Sequence, residues 1–162
     1  ARLKPPRMMH GSAAVLGRGW RRVGLIGGGT GVAPLLQVLE ILLASDETGL
    51  RGSFLNLQST PEDDLLGKEL KGLVDRYPGM LEVTNVWTQT DESKRGTLDL
   101  VRRTLPDPAL GEEVMLLVCG RDGFVEHWAG PVGRGPDGGK IQGPLLGLLQ
   151  KAGYKASQVF KY

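Results

Sequence analysis

The sequence predicts a doubly wound α/β fold, a parallel sheet of five strands with helices on both faces. Three observations lead there. From Arg22 onward, short apolar runs alternate with segments whose apolar residues recur at helical spacing. A glycine cluster, Gly27-Gly28-Gly29-Thr30-Gly31, joins the first apolar run to the first helical segment. Strand, glycine turn and helix in that order form an anion cradle, because free N–H groups and the positive end of the helix dipole face the turn. Finally, Val114–Cys119 is an almost continuous apolar run, the pattern of a parallel strand buried on both faces.

The elements follow in order. Residues 1–21 carry Pro5-Pro6, Gly11, Gly17 and Gly19 with little periodicity. They read as a linker or tail ahead of a domain over 22–162, and with the Ala start they suggest a fragment of a longer protein. Val23–Ile26 is the first strand. Pro34 then opens a helix, Leu35–Ala44, with apolar residues at 35, 36, 38, 39, 42 and 43. Gly49 and Gly52 bracket the turn into a second strand, Phe54–Gln58.

Thr60-Pro61-Glu62-Asp63 predicts the next helix start, with Thr60 as N-cap, Pro61 in the first turn and Asp63 closing a capping box. That helix runs through Leu65, Leu66, Leu70, Leu73 and Val74 until Pro78-Gly79 stops it. Leu81–Trp87 is a third strand, and Thr88–Gly96 a polar loop. Thr97–Leu105 is a short helix ended by Pro106, and Val114–Cys119 the fourth strand. A short helix near Phe124–Trp128, capped by Asp122, is followed by an exposed Gly- and Pro-rich excursion over Gly130–Gly143. Pro144–Ala152 reads as a helix and Val159–Tyr162 as the last strand.

Charge and composition exclude several functions. Of 20 basic residues, six lie in 1–22 (Arg2, Lys4, Arg7, Arg18, Arg21, Arg22), so 14 face all 18 acidic ones in the rest. A mildly acidic body without an aromatic-interleaved basic stripe argues against nucleic-acid binding. The basic start reads equally as linker or as a contact for an acidic protein or membrane. Two histidines, His10 and His127, are too few and too far apart for a zinc or di-iron site. No Gly-x-Ser-x-Gly elbow supports nucleophilic hydrolysis. The single cysteine, Cys119, excludes an internal disulfide and a dithiol relay.

The glycine turn has the spacing Gly29-x-Gly31-x-x-Pro34, which departs at its last position from the dinucleotide fingerprint and lacks the Gly-Lys-Ser/Thr of a P-loop. Three consecutive glycines with Thr30 exceed what a tight turn requires, so the turn is read as anion-binding.

Gly28-Gly29-Thr30-Gly31-Val32-Ala33-Pro34 resembles the Gly-Gly-Thr-Gly-hydrophobe-x-Pro motif of the ferredoxin–NADP reductase superfamily, in particular the nucleotide half of NADH–cytochrome b5 reductases. Further motifs stand in the family's order. They are Ser59-Thr60-Pro61-Glu62-Asp63 with Leu65-Leu66 and Glu69-Leu70, then Val118-Cys119-Gly120, then an aromatic, Tyr162, after a short strand. The resemblance implies a ferredoxin reductase-like NAD(P)-binding domain over about 22–162.

By that resemblance, Gly29, Thr30 and Gly31 hold the nucleotide diphosphate, with Thr30 also near the flavin. Gln58, Ser59 and Thr60 stand where the adenosine ribose is expected, and Asp63 matches an acidic position that disfavours a 2′-phosphate. NADH is therefore favoured over NADPH, although Asp63 could serve the capping box alone and Lys94 with Arg95 could reach a 2′-phosphate. Cys119 and Gly120 resemble the residues lying against the nicotinamide, where Cys119 aligns the ring rather than attacking. Here the sequence departs from the family's Pro-rich turn. Arg121-Asp122-Gly123-Phe124 follows instead, with Gly123 and Phe124 bordering the nicotinamide pocket. Tyr162, with Phe160 as its competitor, resembles the aromatic that covers the flavin.

The resembling enzymes carry an upstream FAD-binding barrel, for which residues 1–21 leave no room. The expected function is thus the NAD(P)H-binding domain of a flavin-dependent oxidoreductase. It would pass hydride from NADH to FAD, supplied in cis or in trans, and on to a haem or iron–sulfur acceptor. The alternative is a stand-alone pyridine-nucleotide-binding or sensing module without catalysis of its own. The expected location is intracellular, with a mitochondrial or membrane-associated site suggested by the basic start and the family and a cytoplasmic one left open.

Overall fold

The computed structural model describes residues 20–45, 49–90 and 96–162. His10, Lys94, Arg95 and most of the expected linker lie outside the described residues. Five parallel strands form the sheet in the order β3-β2-β1-β4-β7: β1 (Arg22–Gly28), β2 (Arg51–Gln58), β3 (Leu81–Trp87), β4 (Val114–Cys119) and β7 (Val159–Lys161). The expected parallel doubly wound sheet is therefore present.

β1 lies at the centre of this order, paired in parallel with β2 on one side and β4 on the other. Its register places Ile26 between Leu55 and Val118, and Gly27 between Asn56 and Cys119. Alternation along the strands then builds two cores. Val23, Leu25, Phe54 and Leu117 pack beneath α1 (Val32–Ala44) and α2 (Gly67–Arg76). Ile26, Leu55, Leu116 and Val118 pack beneath α3 (Leu98–Thr104), α4 (Asp122–Ala129) and α5 (Gly147–Lys151). Fully burying each such side chain contributes about 1.5–3 kcal/mol. β4 is buried along its whole length, as an apolar run covered on both faces should be.

Several elements differ from the sequence reading. Trp20 belongs to the domain rather than to the linker: its ring is 7% exposed in the core under α1. The Thr60 capping box does not start a long helix. It closes a single 3₁₀ turn, Pro61–Asp63, after which Asp64 leaves helical geometry with ψ 84° and α2 begins afresh at Gly67. The cause is tertiary: Asp64 turns its carboxylate inward to accept from Asn56 Nδ2 at 3.1 Å. Leu65, expected on the apolar face, is left 80% exposed.

The helix expected over Pro144–Ala152 contracts to Gly147–Lys151, since Gly147 has φ 74° and ends the preceding extended stretch. The Gly- and Pro-rich excursion contains a small antiparallel pair, β5 (Gly133–Arg134) and β6 (Lys140–Ile141). Lys161 of β7 holds it. Its ammonium donates to the carbonyls of Pro131 and Pro144 at 2.9 and 2.7 Å, and its backbone N–H donates to Gln142 Oε1 at 2.7 Å.

Candidate functional site

After β1 the chain moves outward through β2 to β3, then returns to the other side of β1 with β4. The loops leaving β1 and β4 therefore diverge, opening a crevice at the carboxyl ends of the strands where such sheets take ligands. A cleft of about 600 Å³ lies there, lined by Gly28, Gly29, Thr30, Leu57, Gln58, Ser59, Thr88, Arg121, Gly123, Phe124 and His127. A second groove shares Gly29, Thr30, Gln58 and Ser59 with it and runs to Asp63, Leu65 and Leu66.

The glycines are required by different constraints. Gly29 has φ 55° with open space around its Cα, so the backbone conformation alone selects glycine there. Gly31 has helical angles, φ −64° and ψ −14°, but a Cβ would stand 2.5 Å from the Cys119 carbonyl carbon and 2.7 Å from Gly120 N. The first turn thus rests directly on the peptide that ends β4. Gly28 and Gly120 leave room for the Phe124 ring, which their Cβ atoms would meet at 2.7 and 2.5 Å. Phe124 in turn lies 6.2 Å from the ring of Trp128, which is fully buried.

A polar chain beneath the turn, invisible to hydrophobic periodicity, fixes its height. Gln58 Nε2 donates to Gly29 O at 3.1 Å and to Asn56 Oδ1 at 3.0 Å. Asn56, wholly buried, donates from Nδ2 to Asp64 Oδ1 and to Asn85 Oδ1. Both amide hydrogens of Gln58 are thereby committed, so only its Oε1 remains for a ribose hydroxyl. The one sequence signal for this chain is that Asn56 and Gln58 interrupt an otherwise apolar strand.

The remaining expected site residues fall in distinct places. Asp63 is exposed beside the second groove, and its Oδ2 accepts from Thr60 N at 3.1 Å and Thr60 Oγ1 at 2.9 Å. Thr60 and Pro34 are half-buried and line neither groove. Cys119 is 9% exposed and packs in the core under α1, behind Gly31. Burial raises its thiol pKa, with Lys140 opposing, so it stands protonated near neutrality and is unsuited to attack. Tyr162 is half-buried, tied by its N–H to Val118 O at 2.8 Å and set edge-on to Phe160 at 6.1 Å. Burial, then the neighbouring Cys119, raises its phenol pKa.

Asp122 does not cap α4. Arg121 occupies the cap position, and Asp122 is the first helical residue, lining a separate cavity with Glu126, Arg134 and Lys140. Thr88, Arg121 and His127 line the cleft without having been singled out as site residues by the sequence. They come from two crossovers far apart in the chain, and only the folded sheet brings them together.

Residues 25–129 match the family described as the oxidoreductase NAD-binding domain. The chain belongs to that family. Among curated proteins it is similar to an NADH-cytochrome b5 reductase-like protein of Arabidopsis thaliana, 32% identical over 88% of this chain and 43% of that protein. It is also 32% identical to NADH-cytochrome b5 reductase 2 of Saccharomyces cerevisiae, over 88% of this chain and 48% of that protein. The chain thus spans less than half the length of these relatives. In fold it resembles the cytochrome b5 reductase domain of Ulva prolifera nitrate reductase, with a TM-score of 0.67 and 21% identity over 88% of this chain and 49% of that one. The oxidoreductase NAD-binding domain that the glycine motif implied is thus present, and the similarity to NADH-cytochrome b5 reductases runs through these relatives. The turn fits such a ligand: Gly28, Gly29 and Thr30 line the cleft, and the space around Gly29 is open.

Proposed function

We propose that this NAD-binding domain binds NADH across the Gly28–Gly31 turn and presents it to a flavin carried by another domain, for onward transfer to a one-electron acceptor such as a haem protein. The observation that carries this reading is the packing of Gly31 on the Cys119–Gly120 peptide. It joins the anion cradle to the end of β4 at the switch point, with the cleft opening beside it. The relatives named as NADH-cytochrome b5 reductases support the choice of nucleotide and of reaction.

In this reading the N–H groups of Gly29–Gly31 and the start of α1 bind the diphosphate. Asp63 beside the second groove accepts from ribose hydroxyls, and its charge repels a 2′-phosphate, which favours NADH over NADPH. Gly120, Gly123 and Phe124 shape the wall toward the nicotinamide, Cys119 fixes the peptide beneath it, and Tyr162 covers the flavin side. The dihydronicotinamide, when bound, supplies the two electrons and the proton that a flavin accepts.

Titration of the chain with NADH and with NADPH, followed by tryptophan fluorescence, tests this directly. Trp128 reports through Phe124, which borders the cleft. Saturable quenching by NADH at lower concentration than by NADPH is expected. Failure of either nucleotide to bind at millimolar concentration would overturn the reading.

A further inference from the structure

One charge in the cleft has no counterpart among the described residues. Arg121 lines the same wall as Gly28, Gly29 and Thr30, and it is exposed. Among the described residues no carboxylate pairs with its guanidinium. None of the described residues lining this cleft is acidic. The acids that follow it on α4, Asp122 and Glu126, line the separate cavity that already holds Arg134 and Lys140.

Its position is also electrostatically adverse. Arg121 is the N-cap of α4, where the helix dipole presents its positive end and its side chain supplies no cap hydrogen bond. Serine, threonine, aspartate or asparagine would satisfy the first-turn N–H groups there, whereas a cation adds like charge. An anion in the cleft reverses the sign of that interaction. It would face three positive features at once: the glycine turn of β1, the first turn of α4 and the guanidinium.

We propose that Arg121 is a diphosphate-binding residue of this NAD-binding domain, its guanidinium closing over the phosphate oxygens from the α4 side of the cleft. The assignment rests on the nucleotide reading above and deepens it. A planar guanidinium offers paired donors to two oxygens of one phosphate, which the backbone cradle opposite does not. Gly123, which lines the same cleft, has no atom within 4 Å of where its Cβ would stand.

The test compares the unaltered chain with R121A and R121K in calorimetric titrations with ADP-ribose, NADH and NADPH across a salt series. R121A is expected to weaken ADP-ribose and NADH by about ten- to a hundredfold, as loss of a charge-assisted hydrogen bond does. It should also flatten the dependence of affinity on salt. R121K restores the salt dependence, because the charge returns without the fork. Thermal melting of both variants within a degree or two of the unaltered chain excludes a folding defect at this exposed position.

Equal affinity of R121A and the unaltered chain for ADP-ribose would overturn the proposal, as would a loss confined to NADPH, which would place the guanidinium on the 2′-phosphate instead. An unaltered chain that binds none of the three ligands refutes the nucleotide reading itself and this assignment with it. That result is distinct from one in which only the variant comparison fails.

Discussion

Replacing Gly31 with alanine places a methyl group where the Cys119–Gly120 peptide already stands, 2.5 Å from the carbonyl carbon and 2.7 Å from the amide nitrogen. The backbone angles at Gly31 suit alanine, so conformational strain contributes nothing and the whole effect is collision. The neighbour is backbone at the end of a fully buried strand, not the end of a flexible side chain, and it cannot swing aside. Such overpacking costs about 1–3 kcal/mol, and the rigid partner places Gly31→Ala at the upper end. For a chain of this size, about 3 kcal/mol lowers the melting temperature by roughly 6–12 °C.

The same shift moves the glycine turn away from β4 and should weaken NADH. Gly72→Ala is the control, since its Cβ meets no atom within 4 Å inside α2 and alanine there gains up to about 1 kcal/mol of helix propensity. Urea and thermal melts of both variants, with NADH titration, check the pair. A Gly31→Ala protein that melts with the unaltered chain and binds NADH equally would show that the turn does not rest on β4.

Three further outcomes follow from other contacts. Gln58→Met removes both donors beneath the turn, leaving Asn56 Oδ1 unpaired and Gly29 O with the Val32 N–H alone, and should cost about 1–3 kcal/mol in urea melts while weakening NADH. Asp63→Thr should raise the affinity for NADPH relative to NADH; an unchanged ratio in fluorescence titrations would return Asp63 to its hydrogen bonds with Thr60 alone. Tyr154 is buried with its hydroxyl donating to Pro106 O, and burial, then Asp107, pushes its pKa from 10.0 to about 12. The native state therefore holds a proton that the unfolded chain releases between those values, so stability falls as pH rises from about 10 to about 12. Tyr154→Phe should flatten that part of the profile in melts run across the range.

The alternation of apolar runs made the sheet legible, because each strand is short, buried and followed by a crossover, and the glycine turn marked where its ligand edge lies. The start of α2 was illegible for a specific reason. Thr60, Pro61 and Asp63 satisfy the local rules for a helix cap, yet Asn56 captures the next carboxylate, Asp64, and breaks the turn off. A tertiary hydrogen bond overrides a local signal. Asp122 is not the cap, because the helix begins one residue earlier than its side chain would require. Within the site, Gly28, Gly29 and Thr30 announce themselves by spacing, but Arg121, His127 and Thr88 carry no motif and acquire a shared wall only once β3 and β4 flank β1 and β2.

That wall joins segments far apart in the chain. β1 and β2 are neighbours in sequence, but Cys119–Gly120 must travel back past three crossovers before it can lie on Gly31. Pairings of such sequence separation are slow to form, since the loop must close before the contact is gained. No partly folded chain lacking β4 has the cleft, so a nucleotide that binds there recognises only the finished sheet. By mass action it would hold the population in that state, by about 2.7 kcal/mol at a hundred times its dissociation constant. The contact that leaves no room for a methyl group thus makes the cofactor a selector of complete molecules over incomplete ones.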